Sequence, residues 1–392
     1  MRVLICGAGI AGPTLAWWLN HYGHHVTLVE KAPRLRTGGY VIDFWGAGYE
    51  IATRMGLRDA VEGLGYRVHT VRIVDRRGRT VSGFPVDAFR RPLQGHMTSL
   101  PRGELASAIF RALGDRVETR FGDSIAQLEQ REDSTLVTFE QGKCEAYDIV
   151  VGADGLHSRV RELVFGPEEQ FERYLGILVV AFEATGYRPR DELTYLLYPQ
   201  VGQQVGRFTL RDDRSMFLFT FAHPSGHVPA DLAAQKGLVK ARFERTGWEC
   251  PEILKELDEA EHLYMDRVSQ IEIPHDWSVG RVTLVGDAAS CPSLLAGEGS
   301  GLAMVAAYIL AGELHRQEPA HAFAAYQQRF RPFVEDKQRK ARGFAGAFAP
   351  RSRLRLRLGN LAMKLLHFRW LADLAVRQQF GDRIELPDYD GS

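Results

Sequence analysis

The sequence predicts an α/β fold, a Rossmann-like dinucleotide-binding domain interrupted by a mainly antiparallel β domain and followed by a C-terminal helix. Three observations carry that prediction. A glycine-rich turn, Gly7-Ala8-Gly9-Ile10-Ala11-Gly12, joins a short β-rich run to a helical stretch. Four strand-like runs crowd residues 173–222 with no helical pattern between them. Two apolar runs, each ending in an aspartate (Asp154 and Asp287), lie on either side of that stretch in the chain.

The elements follow in order. "RVLIC" (2–6) reads as the first strand, and "PTLAWWLNHYG" as a helix with Pro13 near its first turn and Gly23 as its stop. "HVTLVE" (25–30) is the second strand, completing a βαβ unit. "RVETRFGDSIAQLEQREDSTLVTFEQGKCEAYDIVVGADG" alternates between turn residues, as a small antiparallel sheet and then a return strand ending at Asp154 would. "YLGILVVAFEA", "ELTYLLYP", "QVGRFTLR" and "SMFLFTFA" are spaced too closely for βαβ units, so they form an inserted antiparallel layer. Two helices follow in "DLAAQKGLVKARFERTG" and "PEILKELDEAEH". A buried strand in "RVTLVGDAA" (281–289) and a helix in "GLAMVAAYILAGELHRQ" return the chain to the first domain.

Residues 329–370 carry twelve Lys/Arg against only Glu335 and Asp336. Leu354, Leu358, Leu361, Leu365 and Phe368 recur at steps of four and three, which predicts one long amphipathic helix. Its apolar stripe is read as packing across the domain seam, not as lying on a membrane. The expected divisions are 1–72, 98–172 and 271–330 for the dinucleotide-binding domain, 73–97 and 173–270 for the inserted domain, and 331–392 for the C-terminal helical segment.

Composition narrows the function. Lys+Arg and Asp+Glu both total 49 in 392 residues, which gives no electrostatic reason to expect nucleic acid. The start has no signal-peptide layout, and no apolar run approaches the ~20 residues that span a bilayer. Cys6, Cys144, Cys250 and Cys291 form no CxxC pair, so a metal site is not expected and free thiols in a reducing cytoplasm are.

Within the glycine turn, Gly7 permits the tight bend, Gly9 lets backbone approach a pyrophosphate, and Gly12 lets helix pack on strand. The helix N-terminus offers free N–H groups to phosphates. Glu30, eighteen positions after Gly12, can accept from an adenosine ribose and would repel a 2′-phosphate, so the loop favours FAD or NAD. Asp287, after Gly286, either binds sugar-chain hydroxyls or caps the next helix, and the turn at 297–301 aims N–H groups at a moiety that gains negative charge. Asp154 either caps a short turn, with Arg159 and Arg161 facing water, or positions cofactor-binding loops.

The glycine turn with Glu30, "GADGLHSRVR" and "VGDAASCPSLLAGEGSGLA", in that order, resemble the class A flavoprotein monooxygenases, which share the para-hydroxybenzoate hydroxylase fold. "TGGYVIDFWG", "SLPRGELA" and the tail "ADLAVRQQFGDRIELPDY" are similar to the subgroup of tetracycline-inactivating oxygenases and bacterial polyketide hydroxylases. The resemblance implies that Gly7, Ala8, Gly9, Ile10, Ala11, Gly12, Glu30, Lys31 and Arg102 contact the AMP half of FAD. Asp154 and Asp287 would hold the pyrophosphate–ribityl region, and Gly297, Gly299, Ser300, Gly301 and Leu302 the flavin edge. Ser290 and Leu294 depart from the residues common in the family at positions near the flavin.

It further implies transient NADPH or NADH, dioxygen, a flavin hydroperoxide and hydroxylation of an aromatic or polycyclic substrate, tetracycline-type compounds among them. An FAD-dependent reductase or dehydrogenase of a hydrophobic substrate such as a prenyl chain is the alternative, and a non-catalytic flavin-binding protein a third. Tyr198, Gln204, Met216, Phe219 and Phe221 are the expected substrate-lining residues, with His223 and Arg207 as catalytic candidates. A single GxGxxG unit and no redox cysteine pair argue against a reductase of the glutathione-reductase type.

Overall fold

The structure is a computed structural model that describes residues 1–36, 38–91, 93, 96–294, 297–350, 352–366 and 384–390. Phe368 and most of the tail motif therefore lie outside the described residues.

The chain opens with β1 (Arg2–Cys6), α1 (Ala11–His21) and β2 (His25–Glu30), the βαβ unit the glycine turn requires. A stretch not assigned from sequence follows, with β3 (Val41–Trp45), α2 (Gly46–Arg54) and α3 (Arg58–Leu64). Next come β4 (Thr70–Val74), β5 (Thr80–Pro85), α4 (Asp87–Arg90), β6 (Met97–Pro101), α5 (Arg102–Arg111) and β7 (Glu118–Phe121). The expected small antiparallel sheet is β8 (Ile125–Gln130), β9 (Thr135–Phe139) and β10 (Cys144–Tyr147), before the return strand β11 (Ile149–Gly152) and α6 (Arg159–Val164).

The inserted layer is β12 (Glu172–Thr185), β13 (Thr194–Gln200), β14 (Gln203–Thr209) and β15 (Arg214–Ala222), with α7 (Leu232–Phe243) and α8 (Cys250–Glu259) behind it and β16 (Tyr264–Ile271) added beside β12. The chain then returns through β17 (Ser278–Val279), β18 (Val282–Leu284), α9 (Asp287–Ser290), α10 (Gly299–Arg316), α11 (Pro319–Phe348) and α12 (Arg353–Leu365).

Two large sheets result. The first runs β17-β18-β11-β1-β2-β7, parallel except for its β17 edge. Val3, Leu4, Ile5, Ile149, Val150 and Val151 are fully buried, as strands covered on both faces must be. The second runs β16-β12-β15-β14-β13-β4-β5 and is antiparallel except where β13 meets β4. The ribbon β3-β6 leads into α5. Gly48 lets α2 cross α10 at backbone distance, since a Cβ there would stand 2.4 Å from the Gly301 Cα.

The C-terminal expectation is corrected in two respects. The helix is not continuous. Pro350 lies between α11 and α12, lacks an N–H, and disfavours helical geometry at Ala349 before it. The leucine stripe does not pack inward either. Leu354, Leu358, Leu361 and Leu365 are 67, 56, 54 and 43 % exposed, while α12 rests on β5 and β13 through the half-buried Leu356, Asn360 and Met363.

Residues 384–390 return to the first sheet's helices. Tyr389 is buried against Gly312, where a Cβ would meet its ring at 2.2 Å, and its hydroxyl donates to Glu313 Oε1 at 2.7 Å. Among the described residues no helix is long and apolar enough to cross a membrane, and no His/Cys/Asp/Glu group could hold a metal.

Candidate active site

The glycine turn is built by two different demands. Gly7 has φ +109°, and a Cβ on it would lie 2.4 Å from the Ala153 carbonyl oxygen; one on Gly12 would lie 1.9 Å from the Gly7 oxygen. Packing of the protein itself therefore fixes these two. At Gly9 the nearest protein atom to a Cβ is Arg102 Nη2 at 3.9 Å, so its backbone is bare on the open side. No side chain caps α1, which leaves first-turn N–H groups and the positive helix end facing the same opening. Glu30 is held at the end of β2, accepting from the N–H of Ala8 at 2.8 Å and of Ala32 at 2.9 Å. Lys31 stands beside it, and Arg102 heads α5, its N–H on the Tyr40 carbonyl at 3.0 Å.

The two strand-end aspartates differ. Asp154 Oδ1 accepts from Ser158 Oγ at 2.5 Å, and Oδ2 from the N–H groups of Arg159 and Val160 at 2.7 and 3.1 Å. It thus caps α6, together with Ser158, whose hydroxyl accepts from the Arg161 N–H at 3.0 Å. Burial pushes the Asp154 carboxyl above the usual range, and those hydrogen bonds oppose the shift.

Contrary to the helix-capping alternative, Arg161 does not face water. It is fully buried and donates to the carbonyls of Leu156 at 2.6 Å and Ala288 at 3.1 Å and to Glu168 at 2.9 Å. The guanidinium ties the Asp154 turn to the turn that carries Asp287. Asp287 opens α9, and among the described residues its carboxylate takes no backbone N–H. Gly286, at φ +64°, sets this turn against α1, its would-be Cβ 2.8 Å from Ala11 Cβ. Burial also pushes the Asp287 carboxyl up, and the Arg102 charge acts the other way.

The turn between α9 and α10 presents the head of α10. Gly297 has φ +68°, no side chain caps the helix, and a Cβ on Gly299 would meet nothing within 4 Å. Glu298 is held aside by Lys337 at 2.5 Å, both nearly buried. Gly299, Ser300 and Ala303 face the opening, whereas Gly301 and Leu302 turn to a small separate void beside Phe44 and Phe333.

These parts converge on one cleft of about 1560 Å³, lined at one end by residues 7–11 with Glu30 and Lys31, and along its length by Arg102, Asp154 and Asp287. Its far wall includes Glu183, Arg214, Tyr264, Asp266 and Arg267.

The substrate-lining expectation is corrected for Tyr198, Phe219 and Phe221. Strand side chains alternate, and the register puts these three on the sheet face opposite the cleft, with Val205 between them. There they form core with α7 and α8, Phe219 edge-on to Phe243 at 4.8 Å. Gln204 and Met216 have the other parity and share the face of Leu218 and Thr220. Met216 is nevertheless packed against Tyr66 and Phe208, its sulfur accepting the Val41 N–H at 3.1 Å.

The catalytic candidates also fall elsewhere. Arg207, 1 % exposed, lies beneath the sheet in ion pairs with Asp191 at 2.6 Å and Glu249 at 3.0 Å. His223 sits in a turn with its ring on Ser225 Oγ at 3.0 Å, away from the cleft.

Sequence reasoning passed over His157, although it stands inside the quoted "GADGLHSRVR". It lines the cleft between Glu168 at 2.9 Å and Asp266 at 3.2 Å, and the hydrogen bonds its ring donates to the Asp266 and Glu168 carboxylates push its pKa up to about 10. Tyr40 and Tyr264 were also missed. Their rings lie 5.8 Å apart at the cleft, and burial pushes the Tyr40 phenol up to about 12.

Residues 1–338 match a family model described as an FAD binding domain. The chain belongs to the class A flavoprotein monooxygenases. A flavin-dependent monooxygenase of an unknown prokaryotic organism is 36% identical over 343 residues, 86% of this chain and 87% of that one. The crystal structure of tetracycline destructase Tet(55) superposes with TM-score 0.83 at 32% identity, covering 99% of this chain and 98% of that one. Tetracycline destructase Tet(51) gives TM-score 0.84 at 28% identity over 99% of both chains.

This FAD-dependent monooxygenase has a cradle that fits its cofactor. Gly9 and Gly299 are glycines that no neighbouring protein atom demands, and each lies beside an uncapped helix end open to the cleft.

Proposed function

We propose that this FAD-dependent monooxygenase uses NAD(P)H and O2 to hydroxylate an aromatic or polycyclic small molecule of polyketide type, tetracycline-like compounds among them. The observation that carries the reading is the single cleft of about 1560 Å³ running from the glycine turn to the second sheet. Single-ligand pockets measure about 300–1,000 Å³. The excess accommodates a second molecule beside the cofactor.

In this reading the backbone at residues 7–11 and the α1 head hold the pyrophosphate, with Glu30 on the ribose and Lys31 and Arg102 nearby. Asp287 holds the sugar chain, and Asp154 fixes the turn that faces it. The Gly297–Gly299 backbone and Ser300 bring N–H groups to the flavin edge, where developing negative charge is stabilised without a charged side chain. Gly12 acts behind the surface by letting α1 approach the glycine turn, and Gly301 and Leu302 lie toward the small void beside Phe44, away from the flavin. Bound FAD supplies electron exchange with the nicotinamide and activation of dioxygen. The second sheet, whose β12 and β16 residues form the far wall, supplies the exclusion of water that such chemistry needs.

The polar far wall, with Glu183, Arg214, Asp266 and Arg267, suits a polycycle bearing hydroxyl and carbonyl groups better than a hydrocarbon chain. That polarity weighs against the prenyl-chain alternative. The names of the two destructases point to the same substrate class.

The test is turnover of the FAD-loaded protein with NADPH or NADH and a panel of tetracyclines and smaller phenols under isotopically labelled dioxygen. Coenzyme oxidation, oxygen consumption and one labelled oxygen atom per product are the expected outcome. Product formation without dioxygen would sink the reading in favour of a reductase.

A further inference from the structure

Exposed large hydrophobic side chains are few among the described residues. Of the six, Leu354, Leu358, Leu361 and Leu365 belong to α12 and the other two, Val201 and Val279, are scattered. At about 100° per residue these leucines fall within roughly 60° of one another, on the side directly away from Leu356, Asn360 and Met363. The inner side is anchored, with Ser82 Oγ donating to the Asn360 carbonyl at 2.7 Å, so the ridge is held outward by the fold. Arg353, Arg357 and Lys364 flank the ridge on one side and Arg355 on the other, at about 70–110° from its centre. Between Asp336 and Asp373 the chain has no acidic residue.

We propose that α12 docks the protein on a membrane surface that carries anionic lipid, the leucine ridge entering the headgroup boundary and the flanking cations meeting lipid phosphates. An apolar ridge bordered by cations on both sides, on a helix too short and too charged to span, is the pattern of an interfacial helix. Charge decides against a second copy of the chain as occupant. Two such ridges face to face would bring cations against cations with no carboxylate on either helix to offset them. A lipid surface of negative potential removes that repulsion and turns it into attraction. The docking is independent of the reaction proposed for the cleft.

The experiment is co-sedimentation of the FAD-loaded full chain with vesicles of phosphatidylcholine alone and of phosphatidylcholine mixed with phosphatidylglycerol. Partitioning to the mixed vesicles is expected to exceed that to neutral ones by about tenfold and to fall as salt is raised. Leu354→Ser combined with Leu358→Ser removes side chains that lie largely in solvent. It should lower partitioning at least about tenfold while leaving the thermal midpoint and flavin content unchanged. Arg353→Gln with Arg357→Gln should abolish the preference for anionic vesicles. Equal sedimentation of the serine variant, or no partitioning to mixed vesicles at low salt, overturns the proposal. So does a wild-type dimer that the serine variant dissolves.

Discussion

Asp154 and Asp287 end neighbouring strands of one sheet, yet the surrounding atoms give them different work. Asp154 spends both carboxylate oxygens on Ser158 and the first N–H groups of α6, so removing it leaves buried donors unsatisfied. Asp154→Ala should therefore destabilise the flavin-free protein by about 1–3 kcal/mol, read by thermal or denaturant unfolding. Asp287 caps nothing among the described residues and faces the cleft. Asp287→Asn should leave flavin-free stability within about 0.5 kcal/mol while weakening flavin binding, followed by fluorescence titration. If both variants lose stability equally, this division of labour is wrong. Their positions were legible because an aspartate closing an apolar run is a local signal. That Arg161 beside them is buried was not, because its partners are carbonyls and a carboxylate supplied by other turns.

At the level of elements, the runs with strong local punctuation were readable: the βαβ unit, the four inserted strands and α10. Which face each strand buries was not. Phe219 and Phe221 alternate with Leu218 and Thr220, and only the pairing with β14 decides that the aromatic set lies under α7 and α8. The leucine periodicity of α12 identified a helix correctly but not the direction of its ridge, because 3.6-residue spacing does not say which side meets protein.

The crossing of α2 and α10 was equally hidden, since Gly48 is an ordinary helix residue until a second backbone lies on it. Gly48→Ala places a Cβ 2.4 Å from the Gly301 Cα, and neither backbone atom can swing aside. The helices must part, at a cost of about 1–3 kcal/mol. Because α10 begins in the cleft, flavin affinity should fall along with the thermal midpoint. Retention of wild-type affinity would show that the head of α10 does not bear on the cofactor.

Across the whole molecule, the two sheets are joined at the cleft by His157, which reaches Glu168 on one side and Asp266 of β16 on the other. Its pKa is raised to about 10, so its contribution to stability is complete below the ordinary histidine range near 6.5 and is lost as pH rises through 10. The ring is half exposed, which limits that contribution to less than about 1 kcal/mol. His157→Gln should flatten the alkaline fall in the thermal midpoint between about pH 7 and 10. An unchanged alkaline slope in the variant would remove this joint.

The parallel pairing of β1 with β11, and of β11 with β18, also sets a timetable for synthesis. Val3 and Ile5 leave the ribosome first and their partner β11 follows about 145 residues later, but β18, which covers the far side of β11 and has Asp287 just beyond it, is made some 280 residues after β1. At about 5–20 residues per second that is on the order of 15–60 s. Throughout that interval the parallel sheet lacks β18 beside β11, and free flavin in the cell has no complete cradle to enter. Cofactor capture is therefore one of the last events in the maturation of this enzyme, and nascent chains stalled before β18 should be both colourless and dependent on chaperones.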